Sequence, residues 1–218
     1  MSGIIGSKLN IRGSGLVGSL GTDGQHLLSS GPGKTNVFEA AAGAGLVKLV
    51  STTLTGATAA IAFDSTYITS TYSKYLVTFE GITVETDGHD LAILLSTDDG
   101  SSFATTVGMA RYYTVNSSTS GSAGSVAYYP ASSETTDNAS HEGGISGHAF
   151  IYNTTSTVQD KIMLGQALSS SATPATIYGV LCHAKIKTSS AINYLKLYEP
   201  EAGGNFTVGT ATLYGIVN

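Results

Sequence analysis

The sequence predicts an all-β protein: a β-sandwich body of jelly-roll-like type over residues 46–218, preceded by an extended, glycine-rich N-terminal arm over residues 1–45. Three observations predict it. Of the 27 glycines, 11 fall in the first 45 residues. The apolar residues there come as isolated pairs, Ile4-Ile5, Leu16-Val17 and Leu27-Leu28, with Phe38 the one aromatic. Such a segment cannot enclose a core of its own, because too little apolar surface is available to offset the entropy of ordering it. The other 17 aromatic residues all follow residue 45, where a core can form. From there on, short runs of β-branched and aromatic residues alternate with turn signals, and no helical pattern of 10–15 residues intervenes.

The body opens with a strand at Leu46–Leu54, and a second follows at Ala59–Phe63 after a Thr-Gly turn. Tyr72–Phe79 alternates with period two. Tyr72, Lys74, Leu76 and Thr78 share one face, and Ser73, Tyr75, Val77 and Phe79 the other. Asp90–Ser96 is a short apolar strand. Asp98-Asp99-Gly100 closes it with a tight turn, since Asp and Gly tolerate positive φ. Phe103–Val107 and Met109–Val115 read as the next two strands. Residues 116–142, rich in Ser, Thr, Gly, Ala and Asn, read as a long excursion holding one short strand; a connection of that length is commonly functional or disordered. Strands resume at Gly144–Tyr152, Lys161–Leu168, Ala175–Ile186, Ile192–Tyr198 and Phe206–Val217. About ten short strands fit a sandwich or barrel, whose long edges need covering.

Composition narrows function. Charged residues make up 11% of the chain, against about 25% in ordinary soluble domains, which favours packed β surfaces and assembly. The net charge is −5. The arm, with Lys8, Arg12 and Lys34 against Asp23 and Glu39, contributes +1, and the body −6. No basic stripe is available to neutralise phosphates, so nucleic acid is not an expected partner. Cys182 is the single cysteine and is read as a small buried hydrophobe. Neither a signal-peptide core nor a membrane-length apolar run is present, so the expectation is a soluble product without membrane insertion. On that expectation the four Asn-x-Ser/Thr sequons are chance matches.

Motifs that suggest chemistry lack their context. Gly13-Ser14-Gly15-Leu16-Val17-Gly18 matches GxGxxG, but no buried strand precedes it and Ser19–Gly24 cannot start a helix, so no dinucleotide cofactor is expected. Asp87-Gly88-His89-Asp90 and Asp98-Asp99 read as hairpin turns rather than calcium loops. Ser146 and His148 fall on one strand face, but Gly144-Ile145-Ser146-Gly147-His148 is not a nucleophile elbow, and no carboxylate is placed to orient the histidine. The five histidines show no zinc spacing. Catalytic residues, cofactors and metals are therefore not expected. Tyrosine is the functional residue type in excess, with adjacent pairs at Tyr112-Tyr113 and Tyr128-Tyr129. One member of each pair would face outward, which makes Tyr128 and Tyr129 candidates for a receptor-facing surface.

Several blocks resemble segments of bacteriophage tail-fibre and related virion surface proteins. Gly21-Thr22-Asp23-Gly24-Gln25-His26-Leu27-Leu28-Ser29-Ser30-Gly31-Pro32-Gly33, closing on Phe38-Glu39, resembles their GTxGQxLxSxGxG arm. Tyr72-Ser73-Lys74-Tyr75-Leu76-Val77-Thr78-Phe79 and Leu95-Ser96-Thr97-Asp98-Asp99-Gly100-Ser101-Ser102-Phe103 resemble blocks of a tail-fibre-like β-domain common in marine phages, with Asp99 in place of the usual Gly. Gly204-Asn205-Phe206-Thr207-Val208-Gly209-Thr210-Ala211-Thr212-Leu213-Tyr214-Gly215-Ile216 resembles its closing strand. Residues 116–142 have no counterpart. The resemblance implies a non-enzymatic virion protein made in the host cytoplasm. It would be a homotrimer, anchored to tail or capsid proteins by its N-terminal part, with the β-domain exposed. Three arms wound together would bury Ile4, Ile5, Leu16, Val17, Leu27, Leu28 and Phe38. A host-surface glycan is the candidate ligand of the exposed domain. Two other readings stand beside it: a capsid decoration or head-fibre protein, and a hydrolase acting on surface polysaccharide.

Overall fold

A computed structural model of the chain describes residues 25–28, 37–40, 45–86, 88–104, 106–115, 118–124, 128–131, 144–170, 177–200 and 204–217. The chain divides into two compact units, Met1–Gly45 and Leu46–Asn218. In the first, β1 (Gln25–Leu28) and β2 (Val37–Ala40) form an antiparallel hairpin that the sequence reading did not anticipate. Its register sets Leu27 opposite Phe38 and Leu28 opposite Val37. Ile4, Ile5, Leu16 and Val17, like Gly13–Gly18, lie outside the described residues.

The second unit is all-β, with two antiparallel sheets in a sandwich. Its strands are β3 (Leu46–Leu54), β4 (Ala60–Phe63), β5 (Lys74–Val84), β6 (Leu91–Ser96), β7 (Thr106–Val115), β8 (Ser118–Gly124), β9 (Tyr128–Ala131), β10 (Ile145–Tyr152), β11 (Lys161–Ser170), β12 (Ile177–Ile186), β13 (Tyr194–Tyr198) and β14 (Phe206–Ile216). The large sheet runs β3-β14-β5-β10-β11-β12-β7-β8, and the small one β4-β13-β6-β9. The jelly-roll-like feature is the nested pairing of early with late strands. β3 pairs β14, β4 pairs β13, β5 pairs both β14 and β10, and β6 pairs both β13 and β9.

Alternation along the strands builds the core. Tyr75, Val77 and Phe79 of β5 are buried, as are Ala149 and Ile151 of β10, Met163 of β11, and Val180, Cys182 and Ala184 of β12. They belong to one cluster with Ile61, Phe63, Ile93, Leu95, Leu195 and Leu197 of the small sheet. Cys182 is thus the buried small residue the sequence suggested. The Tyr75 hydroxyl donates to the Thr69 carbonyl and accepts from the Thr69 N–H, both at 2.8 Å. That pair of bonds gives the buried ring's polar tip a partner in the preceding loop, and burial pushes the phenol's pKa up.

Two local readings need correction. Phe103–Val107 and Met109–Val115 are not separate strands. β7 runs unbroken from Thr106, and Phe103 sits in the preceding loop, tied back by the bond from Ala104 N to Leu95 O at 2.9 Å. Among the described residues, the excursion at 116–142 holds two strands rather than one. β8 extends the edge of the large sheet and β9 the edge of the small one. Small Ser, Gly and Ala residues hid β8, because strand propensity weighs little beside a neighbour that offers a complete ladder.

Candidate assembly and recognition surfaces

The outer face of the large sheet follows from the alternation that fills the core. Residues opposite one another in an antiparallel register share a face, so the outward side chains line up in rows across the strands. One row holds Lys74 of β5, Tyr152 of β10, Ile162 of β11 and Lys185 of β12. The next holds Tyr214 of β14, Leu76, Phe150, Leu164 and His183. The third holds Thr212, Thr78, His148, Gln166 and Leu181. The fourth holds Thr210 and Glu80 and then, beyond a bulge in the β5–β10 register, Ser146 and Leu168.

The middle of this face is apolar and aromatic. Along β10, His148 meets Phe150 edge-on at 5.5 Å between ring centroids, and Phe150 lies 6.2 Å from Tyr152. Leu168 is 54% exposed and Leu181 44%. An antiparallel sheet with one solvated face ordinarily presents polar residues there. Toward β3 the same face turns polar, with Ser51 bonded to Thr212 at 2.8 Å and Thr53 to Thr210 at 3.0 Å.

The small sheet presents a different surface. Lys196 and Tyr194 of β13 stand on its outer side, since Leu195 and Leu197 face the core. The Lys196 ammonium lies 4.7 Å from the Phe103 ring centroid and 4.8 Å from that of Tyr198. Tyr194 and Phe103 are 6.1 Å apart. A Cβ at Gly100 would lie 2.9 Å from the Tyr194 ring, so Gly100 lets the Asp98-Asp99-Gly100 turn tuck beneath it. That turn is internally satisfied. Asp98 accepts from Ser96 Oγ at 2.6 Å, Ser102 N at 2.8 Å and Ser102 Oγ at 2.5 Å. The bonds from Ser102, then that from Ser96, hold its carboxyl down at about 2. Asp99 takes the predicted positive φ, at 57°, and its carboxylate accepts from Ser65 N at 3.0 Å.

The remaining candidates from the sequence fall in separate places. Ser146 Oγ accepts a bond from Gly81 N at 2.9 Å, while His148 packs on Phe150 two residues further along β10. His89 Nδ1 contacts the carboxylate of Glu199, whose side chain is fully buried. Gly204 makes room for that carboxylate, because a Cβ there would collide with it. Among the described residues no group of three His, Cys, Asp or Glu side chains is arranged to hold a metal; Asp87 lies outside them. Tyr128 stands opposite the core residue Ile93 in the β6–β9 register, with Tyr129 next to it on the same edge strand.

Sequence reasoning passed over the apolar outer face. Its signal was there: β10 and β11 carry apolar residues at both parities, with Phe150 beside Ile151 and Ile162, Met163 and Leu164 in succession. Such runs mark strands covered on both sides. No protein-family model, curated protein or solved structure matches the chain.

Proposed function

We propose that the chain is a non-enzymatic structural protein of a bacteriophage virion, of tail-fibre type, attached by residues 1–45 and exposing its β-sandwich. The observation that carries this reading is the set of resembling blocks and where they fall. Tyr72–Phe79 and Gly204–Ile216 are far apart in the chain, yet they contribute to the adjacent strands β5 and β14 of the large sheet, paired from Phe206–Val84 to Gly215–Tyr75. Leu95–Phe103 supplies the end of β6 and the Asp98 turn that packs against Tyr194. The blocks thus lie in neighbouring elements of one domain, which is compatible with their belonging to a single ancestral pattern.

A binding rather than catalytic role accords with the polar groups of the sandwich. Ser146 Oγ is used as an acceptor for Gly81 N, the exposed Asp98 carboxylate is engaged by bonds from Ser96 and Ser102, and the aromatic and cationic side chains gather on sheet faces. Weak contacts made by several copies on one particle would add up through effective concentration.

The test uses particles grown without the chain, mixed with the purified full-length protein or with residues 46–218 alone. The full-length chain is expected to sediment with the particles, and the shortened one to stay in solution. Equal behaviour of the two would contradict the assignment of residues 1–45 as the attachment element. Electron microscopy of the reconstituted particles separates a tail component from a head-decoration protein.

A further inference from the structure

We propose that the outer face of the eight-stranded sheet is a self-association surface, on which a second copy of this chain packs face to face about a two-fold axis running across the strands. The inference rests on the β body alone, independently of the virion reading, and it departs from the three copies that the resemblance implies.

The first argument is the chemistry of the face. Its centre is Phe150 and Leu164, extended by the exposed side chains of Leu168 and Leu181. A contiguous apolar patch with a polar margin is the anatomy of a protein–protein contact. The second is area. The five strands from β14 to β12, spaced about 4.8 Å apart, and four rows of outward residues spaced about 6.7 Å cover roughly 640 Å² in projection, most of the area a stable pair needs. A stable pair buries about 800 Å² on each partner.

The third argument is charge, and it selects the partner and its orientation. Along β5, Lys74 in the first row and Glu80 in the fourth stand at opposite ends of the strand's outward side. Neither has an ion-pair partner among the described residues. A two-fold axis between the second and third rows reverses the strand direction of the facing copy. Lys74 then meets Glu80 of the partner subunit, and the contact occurs twice. The second row meets the third, which sets Phe150 against His148 of the partner subunit, Leu164 against Gln166 of the partner subunit and His183 against Leu181 of the partner subunit. A three-fold contact is heterologous, so it does not set Lys74 against Glu80 of the partner subunit and Glu80 against the partner's Lys74 in one and the same contact. Unlike charges at the rim fix register, and like charges oppose it.

Sedimentation equilibrium of the full-length chain, at tens of micromolar and low salt, tests this. The expected mass is twice the 22.2 kDa of the chain. Leu181→Asp, at a position already 44% exposed, is expected to raise the dimer dissociation constant at least tenfold without changing the far-ultraviolet circular dichroism. Lys74→Glu and Glu80→Lys are each expected to weaken it several-fold, and the double variant Lys74→Glu/Glu80→Lys to return it close to the original. A trimeric mass, or a double variant no tighter than the singles, would overturn the two-fold pairing. So would a monomer at these concentrations.

Discussion

Asp98 shows how a single side chain fixes a connection that its neighbours depend on. Its carboxylate collects bonds from Ser96 and Ser102 across the turn, and Gly100 N donates to Ser96 Oγ at 3.0 Å. Because these bonds favour the ionised form, the folded pKa of about 2 lies below the ordinary 3.8. The sign follows directly: the contribution to stability is complete above about pH 4 and is lost as pH falls toward 2. Asp98→Asn is therefore expected to lower the melting temperature relative to the original chain at pH 5, and the gap is expected to close by pH 2. Thermal melts across that range check it, and a gap independent of pH would contradict it. The turn was legible in the sequence, because Asp-Asp-Gly after an apolar run carries its own geometry. Lys161 was not legible in the same way. It begins β11 fully buried, its ammonium donating to the carbonyls of Ser156, Gln159 and Thr188 at 2.6, 3.1 and 3.3 Å. Burial pushes its pKa down. Nothing local marks a lysine whose partners come from two separate loops.

Among the elements, the central strands were readable and their neighbours were not. The period-two pattern of residues 72–79 assigned Tyr75, Val77 and Phe79 to one face, and all three are in the core. Which strands lie beside β5 depends on pairings across about seventy residues to β10 and more than a hundred to β14, and those leave no local trace. Close backbone approach is one such hidden requirement. A Cβ at Gly147 of β10 would stand 2.3 Å from Gln166 O and 2.7 Å from Ala167 Cα of β11. Backbone atoms cannot swing aside as a side chain can. Gly147→Ala is expected to destabilise the fold by about 2 kcal/mol, read as a lower urea midpoint at unchanged slope. Gly179→Ala, on the neighbouring β12 with nothing within 4 Å of the added carbon, is the control and is expected to be neutral or slightly stabilising. Equal effects of the two would show that the β10–β11 approach is not what Gly147 serves.

At the scale of the whole molecule, the sandwich leaves one face apolar and collects cation–π and aromatic contacts on the opposite sheet, around Lys196. All-β class and strand spacing could be read from residue types, because alternation and turn chemistry are local. The apolar outer face could not, because Phe150, Leu164 and Leu181 come from three strands and become one surface only through the register of the sheet. The arm residues and the tyrosine pairs drew attention in the sequence because each is contiguous there. The proposal that this chain is a built-in part of a virus particle is tested most directly by its presence in particles purified through a density gradient from the phage proposed to encode it. Protein mass spectrometry of the particle band is expected to find the chain at a fixed copy number per particle, retained after a second gradient. Recovery of the chain only in the soluble fraction, with none in the band, would contradict the account.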